Sequence, residues 1–227
     1  MKLYISDLKL QTYKYLPSFL KRFLFELKLK NEQKRLIKME VLYSELWEKD
    51  HNHTPVPHYI KQETIKKCAQ KYSLNIFIET GTYLGRMIES IKHNFEIIKS
   101  IELSENLALR AQKKFVNYPN IEIIHGDSGE KISAILEKLN QPALFWLDGH
   151  FSGGVTAKAE IETPILNEVK KILEHPIKSH VILIDDARLF NGERDYPTHE
   201  ELKNLISEHY SNFVYEVNND IIKVIWK

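Results

Sequence analysis

The sequence predicts an α/β protein: a doubly wound, mostly parallel sheet of seven strands, closed by an antiparallel hairpin and preceded by a helical extension. Three observations predict it. Short β-rich runs alternate with helical stretches five times between residues 74 and 210. The rhythm then breaks: FVYEV, an asparagine pair and DIIKVIWK read as two strands joined by a tight turn. Residues up to Lys49, by contrast, show only helical spacing.

In that first part Leu20, Phe23, Leu24 and Leu27, then Leu36, Met39, Leu42 and Leu46, predict two helices parted near Asn31. HNHTPVP, residues 51–57, is a proline-bearing linker, so residues 1–58 form an extension and residues 59–227 the main domain. A helix over 59–72 follows. NIFIET leads to a helix over 84–93, IIKSIEL to one over 104–116, and IEIIHGD to one over 129–139. ALFWLDG precedes a helix over 161–175, and VILIDD one over 198–210, where Thr198 and Glu201 have the spacing of a capping box. Sheets of this class bind ligands at the carboxyl ends of their strands, beside the topological switch point.

Bulk properties narrow the function classes. At 227 residues the chain can bury one sizeable core, and 43% hydrophobic with 28% charged residues is ordinary for a globular protein. A net charge of +1 gives no global bias toward nucleic acid. Cys68 is the single cysteine, which excludes an internal disulfide framework and fits a reducing compartment. The opening residues lack the apolar core of a signal peptide, and no stretch reaches the roughly 18 apolar residues of a membrane span. The cytoplasm is the expected location.

FIETGTYLG, residues 77–85, sets a carboxylate, Glu79, before a turn punctuated by Gly81 and Gly85. Gly81 lets a ligand approach the main chain. The dinucleotide fingerprint would need glycine where Tyr83 stands, and no Lys-Ser or Lys-Thr follows to make a phosphate loop. Glu79 would repel phosphate and attract a cation, so an ammonium or sulfonium ligand fits better than a pyrophosphate. A surface glutamate in a tight turn is the plain alternative. Glu102 closes the second strand, 17 residues beyond Gly85, near the spacing of a ribose-binding acid. Asp127, in HGDS, is placed to accept from an exocyclic amine or simply to cap the helix behind it.

These elements, E-T-G-T-Y-L-G, Glu102 and G-D-S, resemble the nucleoside-binding parts of class I S-adenosylmethionine-dependent methyltransferases. The likeness spans roughly residues 74–227 and implies a Rossmann-like fold. It implies that Glu79, Thr80 and Gly81 hold the methionine end, with Tyr83 beside them. Glu102 and Leu103 would hold the ribose, and Asp127 and Ser128 the adenine. Tyr83 departs from the pattern, since many members carry glycine there.

FWLDGH and LIDDAR put Asp148 at the end of the fourth strand, and Asp185 and Asp186 at the end of the fifth. On neighbouring strands about 4.8 Å apart these acids converge. They must then be joined by a cation such as Mg²⁺ or Mn²⁺, or neutralised by Arg188 or another basic residue. The pattern is similar to that of metal-dependent sugar O-methyltransferases acting on macrolide and aminocoumarin antibiotics. That resemblance implies Asp148, Asp185 and Asp186 as metal ligands and His150 as the general base. It also implies a sugar or glycan-precursor acceptor, as in surface-polysaccharide assembly. A neutral imidazole suits a base near neutral pH. Residues 151–164 have the glycines and length of a lid, Lys158 and Arg188 are the charges that would meet an anionic acceptor, and residues 191–197 form a second rim. A nicotinamide-dependent oxidoreductase and a non-catalytic nucleoside-binding scaffold are the competing readings.

Residues 1–49 hold eleven basic and six acidic residues, a net +5. That surface suits a packed helical cap, a homodimer arm, or peripheral contact with an anionic membrane. His51, His53 and His58 match no recognisable metal spacing.

Overall fold

The computed structural model describes residues 17–49, 54–149 and 163–226. The chain forms two units, which part between residues 53 and 54. In the first, Ser18–Lys49 is one continuous helix, α1, where two were expected. No proline or glycine interrupts that stretch, and a single asparagine costs a helix only about 0.5 kcal/mol. Leu36, Met39, Leu42, Tyr43 and Leu46 are all exposed along it.

The second unit opens with α2 (His58–Tyr72), which ends on Ser73 in the left-handed conformation. Then come β1 (Ile76–Thr80), α3 (Arg86–Ile91), β2 (Ile97–Glu102), α4 (Glu105–Phe115), β3 (Ile121–His125) and α5 (Ser128–Leu136). β4 (Leu144–Leu147), α6 (Ile165–Glu174), β5 (Val181–Ile184), a 3₁₀ turn (Ala187–Leu189) and α7 (His199–His209) follow. The hairpin is β6 (Phe213–Asn218) and β7 (Ile221–Trp226). The strands lie in the order β3-β2-β1-β4-β5-β7-β6, and β7 alone runs antiparallel. This is the Rossmann-like sheet expected, with its antiparallel strand inserted beside β5. Among the described residues no helix is long and apolar enough to cross a membrane.

Both faces of the sheet are covered, which is why β1, β4 and β5 are uninterrupted runs of buried residues. On one face Ile78, Phe145, Leu147, Ile182 and Ile184 pack against Ile132 of α5, Val169 and Ile172 of α6, and Leu202 and Ile206 of α7. On the other, Phe77, Ile98, Leu144, Trp146 and Leu183 meet Ile65 of α2, Ile88 and Ile91 of α3, and Ala111 and Phe115 of α4. Burying one such Leu, Ile or Phe contributes about 1.5–3 kcal/mol.

Local signals explain the element ends. The capping box at Thr198 is complete: its hydroxyl accepts from the Glu201 N–H, and the Glu201 side chain accepts from the Thr198 N–H. The hairpin turn lies one residue later than the asparagine pair suggested. Asn218 pairs with Ile221, leaving Asn219 and Asp220 as the two loop residues, both at positive φ (50° and 56°). Asparagine and aspartate tolerate that conformation, and a type I′ turn requires it twice. Asp220 is held there because its carbonyl accepts from the Ala187 N–H (2.8 Å) and its carboxylate from the Arg188 N–H (2.7 Å).

Candidate active site

The carboxyl ends of β1, β2, β4 and β5 and the start of α5 converge on the switch point between β1 and β4. At its centre Gly81 sits at φ +88°, a conformation that glycine adopts freely. A Cβ on Gly81 would be driven into the Asp148 carbonyl oxygen, so the first turn and the end of β4 touch backbone to backbone. The Gly81 N–H donates to the Ile101 carbonyl (2.9 Å), tying the turn to β2 as well. Gly85, at φ +65°, lies where a Cβ would come within 2.7 Å of the Phe115 ring. This is close helix packing rather than ligand approach.

Tyr83 takes the left-handed conformation (φ 48°), its ring is exposed, and its N–H donates to Glu102 Oε2 at 2.7 Å. The other Glu102 oxygen accepts from the Ser104 N–H at 2.9 Å. Two backbone donors therefore orient Glu102 and still leave lone pairs, since a carboxylate has about four acceptor sites. Tyr83 thus reinforces the turn through its N–H, at the position where a pyrophosphate-binding turn needs glycine.

Glu79 is 2% exposed, and its Oε2 accepts from the Ser100 hydroxyl at 2.5 Å. The Ser100 oxygen lies 2.6 Å from the Thr82 hydroxyl, so the three side chains form a short chain. Burial pushes the Glu79 carboxyl up to about 8. The Ser100 hydrogen bond opposes that rise, and the charges of Asp148 and Glu102 add to it. This acid therefore stays protonated near neutral pH, and a cation bound beside it would favour the ionised form. Next to it, Thr80 Oγ1 is buried with no hydrogen-bond partner among the described residues, and a Cβ on Gly149 would meet it at 3.0 Å. Such an orphaned hydroxyl at a ligand-binding edge is a group for a ligand to satisfy.

On the far side of β2, Asp127 caps α5, its Oδ1 accepting from the Gly129 N–H at 2.7 Å. Ser128 is buried at the first position of that helix, with its hydroxyl 3.2 Å from where a Gly149 Cβ would sit. The Leu103 carbonyl meets the His125 ring at 3.2 Å. Glu79, Thr80, Gly81, Glu102, Ser128 and Asp148 are thus brought to one place. Asp127 lies beside it in a capping role.

The acids of β4 and β5 do not form a metal cage in the described residues. β5 ends at Ile184, and Asp186 turns into the left-handed conformation (φ 54°), which frees Asp185 and Asp186 from opposite faces of the sheet. Asp185 accepts the Asp186 N–H on one oxygen (2.9 Å) and the Lys61 ammonium on the other. Lys61 Nζ lies 3.8 Å from Asp186 Oδ1, which accepts from Arg188 at 2.8 Å. Burial alone would lower the lysine, but Asp185, Asp186 and Asp148 outweigh it and hold the ammonium charged. Burial also raises Asp185, against the pull of Lys61. A divalent ion would have to share Asp185 with an ammonium, so Asp148, Asp185 and Asp186 as arranged do not suit Mg²⁺ or Mn²⁺. The alternative reading, a basic residue neutralising the cluster, matches the geometry: Arg188 takes Asp186, and Lys61 takes Asp185.

Of two further groups at this rim, Lys61 carries no signal in the sequence. Lys61 lies 124 residues from Asp185 along the chain. Tyr196 belongs to the expected second rim, and its phenol is raised by burial and then by the charges of Asp186 and Asp148. His150, expected as the general base, lies outside the described residues, as do Lys158 and residues 151–162 of the expected lid at 151–164.

Solved structures share this architecture. The methyltransferase PaMTH1 of Podospora anserina, bound to SAH, matches with a TM-score of 0.54 at 15% identity, over 87% of this chain and 96% of that one. An O-methyltransferase from Bacillus cereus in complex with SAH matches at 0.55 and 11% identity, over 86% and 90%. The O-methyltransferase TomG of Streptomyces achromogenes, involved in tomaymycin synthesis and in complex with SAM, matches at 0.51 and 12%, over 82% and 88%. At such identities the likeness establishes the fold. No protein-family model and no curated protein matches the chain.

Proposed function

We propose that the protein is an S-adenosylmethionine-dependent methyltransferase acting on an oxygen of a small polar acceptor, a sugar or glycan-precursor hydroxyl. One observation carries this reading: a carboxylate, Glu79, buried beside a turn that carries tyrosine where a phosphate-binding turn needs glycine. Such a pocket favours a nucleoside ligand that is cationic and lacks phosphate. The neighbours of like fold that hold SAH or SAM support the same donor.

In this reading Glu79, Thr80 and Gly81 receive the amino-acid end, with the orphaned Thr80 hydroxyl supplying a hydrogen bond. Glu102, braced by the Tyr83 and Ser104 N–H groups, takes the ribose beside Leu103, and Asp127 with Ser128 borders the adenine. The donor supplies an electrophilic methyl on a positive sulfur. The acceptor oxygen forms the new C–O bond as the C–S bond breaks, the electron pair stays on sulfur, and the hydroxyl proton passes to a base. His150 is proposed as that base, and Asp148 orients the acceptor. In-line placement of the two reactants supplies much of the acceleration. A homodimer through the exposed apolar residues of α1, and residence in the cytoplasm, belong to the same proposal.

Calorimetry with SAH, followed by a labelled-methyl screen over sugar nucleotides and glycans, tests it. SAH should bind, Glu79→Gln should weaken it about 10–100-fold, the value of one buried charged hydrogen bond, and Asp148→Asn should lose transfer while keeping SAH. Binding of NADH in place of SAH would move the assignment to a nicotinamide-dependent oxidoreductase. SAH binding without transfer to any acceptor would favour a non-catalytic scaffold.

A further inference from the structure

We propose that Lys61 is the resident cation of the acceptor side, standing where a divalent ion would otherwise bridge the ends of β4 and β5. The inference rests on the methyltransferase reading for its purpose, but not for its geometry. Lys61 comes from α2, outside the strand–helix alternation, and its side chain is 14% exposed where it meets Asp185, itself 3% exposed. Its Nζ bonds Asp185 and lies 3.8 Å from Asp186, and the Asp148 charge acts on it too. One ammonium thus pairs with Asp185, stands beside Asp186 and lies within the field of Asp148. Arg188 closes the other side, bonding Asp186 at 2.8 Å and Asp220.

An ammonium has three N–H donors in a tetrahedral fan. Asp185 takes one, and Asp186 lies beyond hydrogen-bond distance, so the fan keeps a direction open toward an acceptor oxygen. A point charge there makes a bound hydroxyl more acidic, as a metal does, but binds one oxygen rather than chelating two. The acceptor this selects is a single hydroxyl, and a vicinal diol has no advantage. Transfer should therefore proceed in EDTA.

The test uses Mn²⁺ as the probe, with neither donor nor acceptor present, on the full chain. Wild-type protein should show no Mn²⁺ binding by paramagnetic resonance up to about 1 mM, the weak end of protein sites for hard cations. Lys61→Gln, which takes the ammonium away from Asp185 and from beside Asp186, should bind Mn²⁺ at least about tenfold more tightly, while Lys61→Arg should behave as wild type. Wild-type binding below about 100 μM, or equal affinities in wild type and Lys61→Gln, overturns the proposal. SAH calorimetry on the same samples reports the donor pocket separately. Its failure would sink the methyltransferase reading and leave the Mn²⁺ result standing. Thermal melts of both variants establish folding, and the wild-type measurement decides the matter even if Lys61→Gln is lost.

Discussion

At the opposite end of β4 and β5, two histidines make an acid-sensitive joint. His180 is 1% exposed, and its Nδ1 accepts from the Ala143 N–H at 3.1 Å. Its Nε2 lies 2.9 Å from His175 Nδ1, and His175 Nε2 lies 3.1 Å from the Leu136 carbonyl. Only one arrangement of protons satisfies this row: each ring carries its hydrogen on Nε2, His175 donates to Leu136, and His180 donates to His175. A proton added to His180 Nδ1 would face the Ala143 N–H. Burial first, then the His175 ring and Lys178, depress His180 from 6.5 to about 4. Between those values the unfolded chain holds the extra proton, so stability is whole above pH 6.5 and declines as pH falls toward 4. The loss is about 2 kcal/mol by pH 5 and about 3 kcal/mol when the descent is complete. Urea unfolding of wild type and His180→Asn at pH 7.5, 6, 5 and 4 measures it. The amide keeps an acceptor for Ala143, so the variant should start less stable yet lose less with acid. The two curves should converge by about 3 kcal/mol at pH 4. Parallel curves would refute the proton arrangement.

Glu79 works in the other direction. Its carboxyl is raised from 4.5 to about 8, so the fold retains a proton the unfolded chain gives up, and stability declines as pH rises through that window. Glu79→Gln should therefore melt several degrees above wild type at pH 8 by calorimetry, with no such gain at pH 4.5. Gly81→Ala combines a left-handed backbone with collision on the Asp148 carbonyl, and should cost about 2–4 kcal/mol in urea unfolding and abolish SAH binding. Thr198→Ala removes half of the capping box and should lower stability by about 1 kcal/mol, or roughly 2–4 °C in Tm, without touching SAH affinity.

Much of this fold is legible because β1, β4 and β5 are buried on both faces and appear as short apolar runs, and because each of the five parallel strands before the hairpin ends at or near an acid. Glu79, Glu102, Asp148 and Asp185 can be placed at strand ends by counting alone, and topology then brings them together. The capping box at Thr198 is equally visible, since it needs only four consecutive residues. What counting misses are choices settled by partners distant in sequence. Lys61 looks like any lysine on an amphipathic helix until folding sets it against Asp185. Asn31 resembles a helix break, yet the helix runs through it without interruption. The hairpin turn is displaced by one residue because Asp220 has Arg188 to hold, and an asparagine pair carries no trace of that.

Synthesis runs from one end of the chain, whereas the sheet does not assemble in that order. β6 leaves the ribosome before β7, yet its place is secured only through β7, which intervenes between it and β5. The pair must zip round Asn219 and Asp220 and then slot into position together. Until it does, β5 is a raw border and the Arg188 loop has no anchor. A nascent chain stalled before Ile221 would offer that border to any passing strand, making this the moment when the protein is most exposed to aggregation.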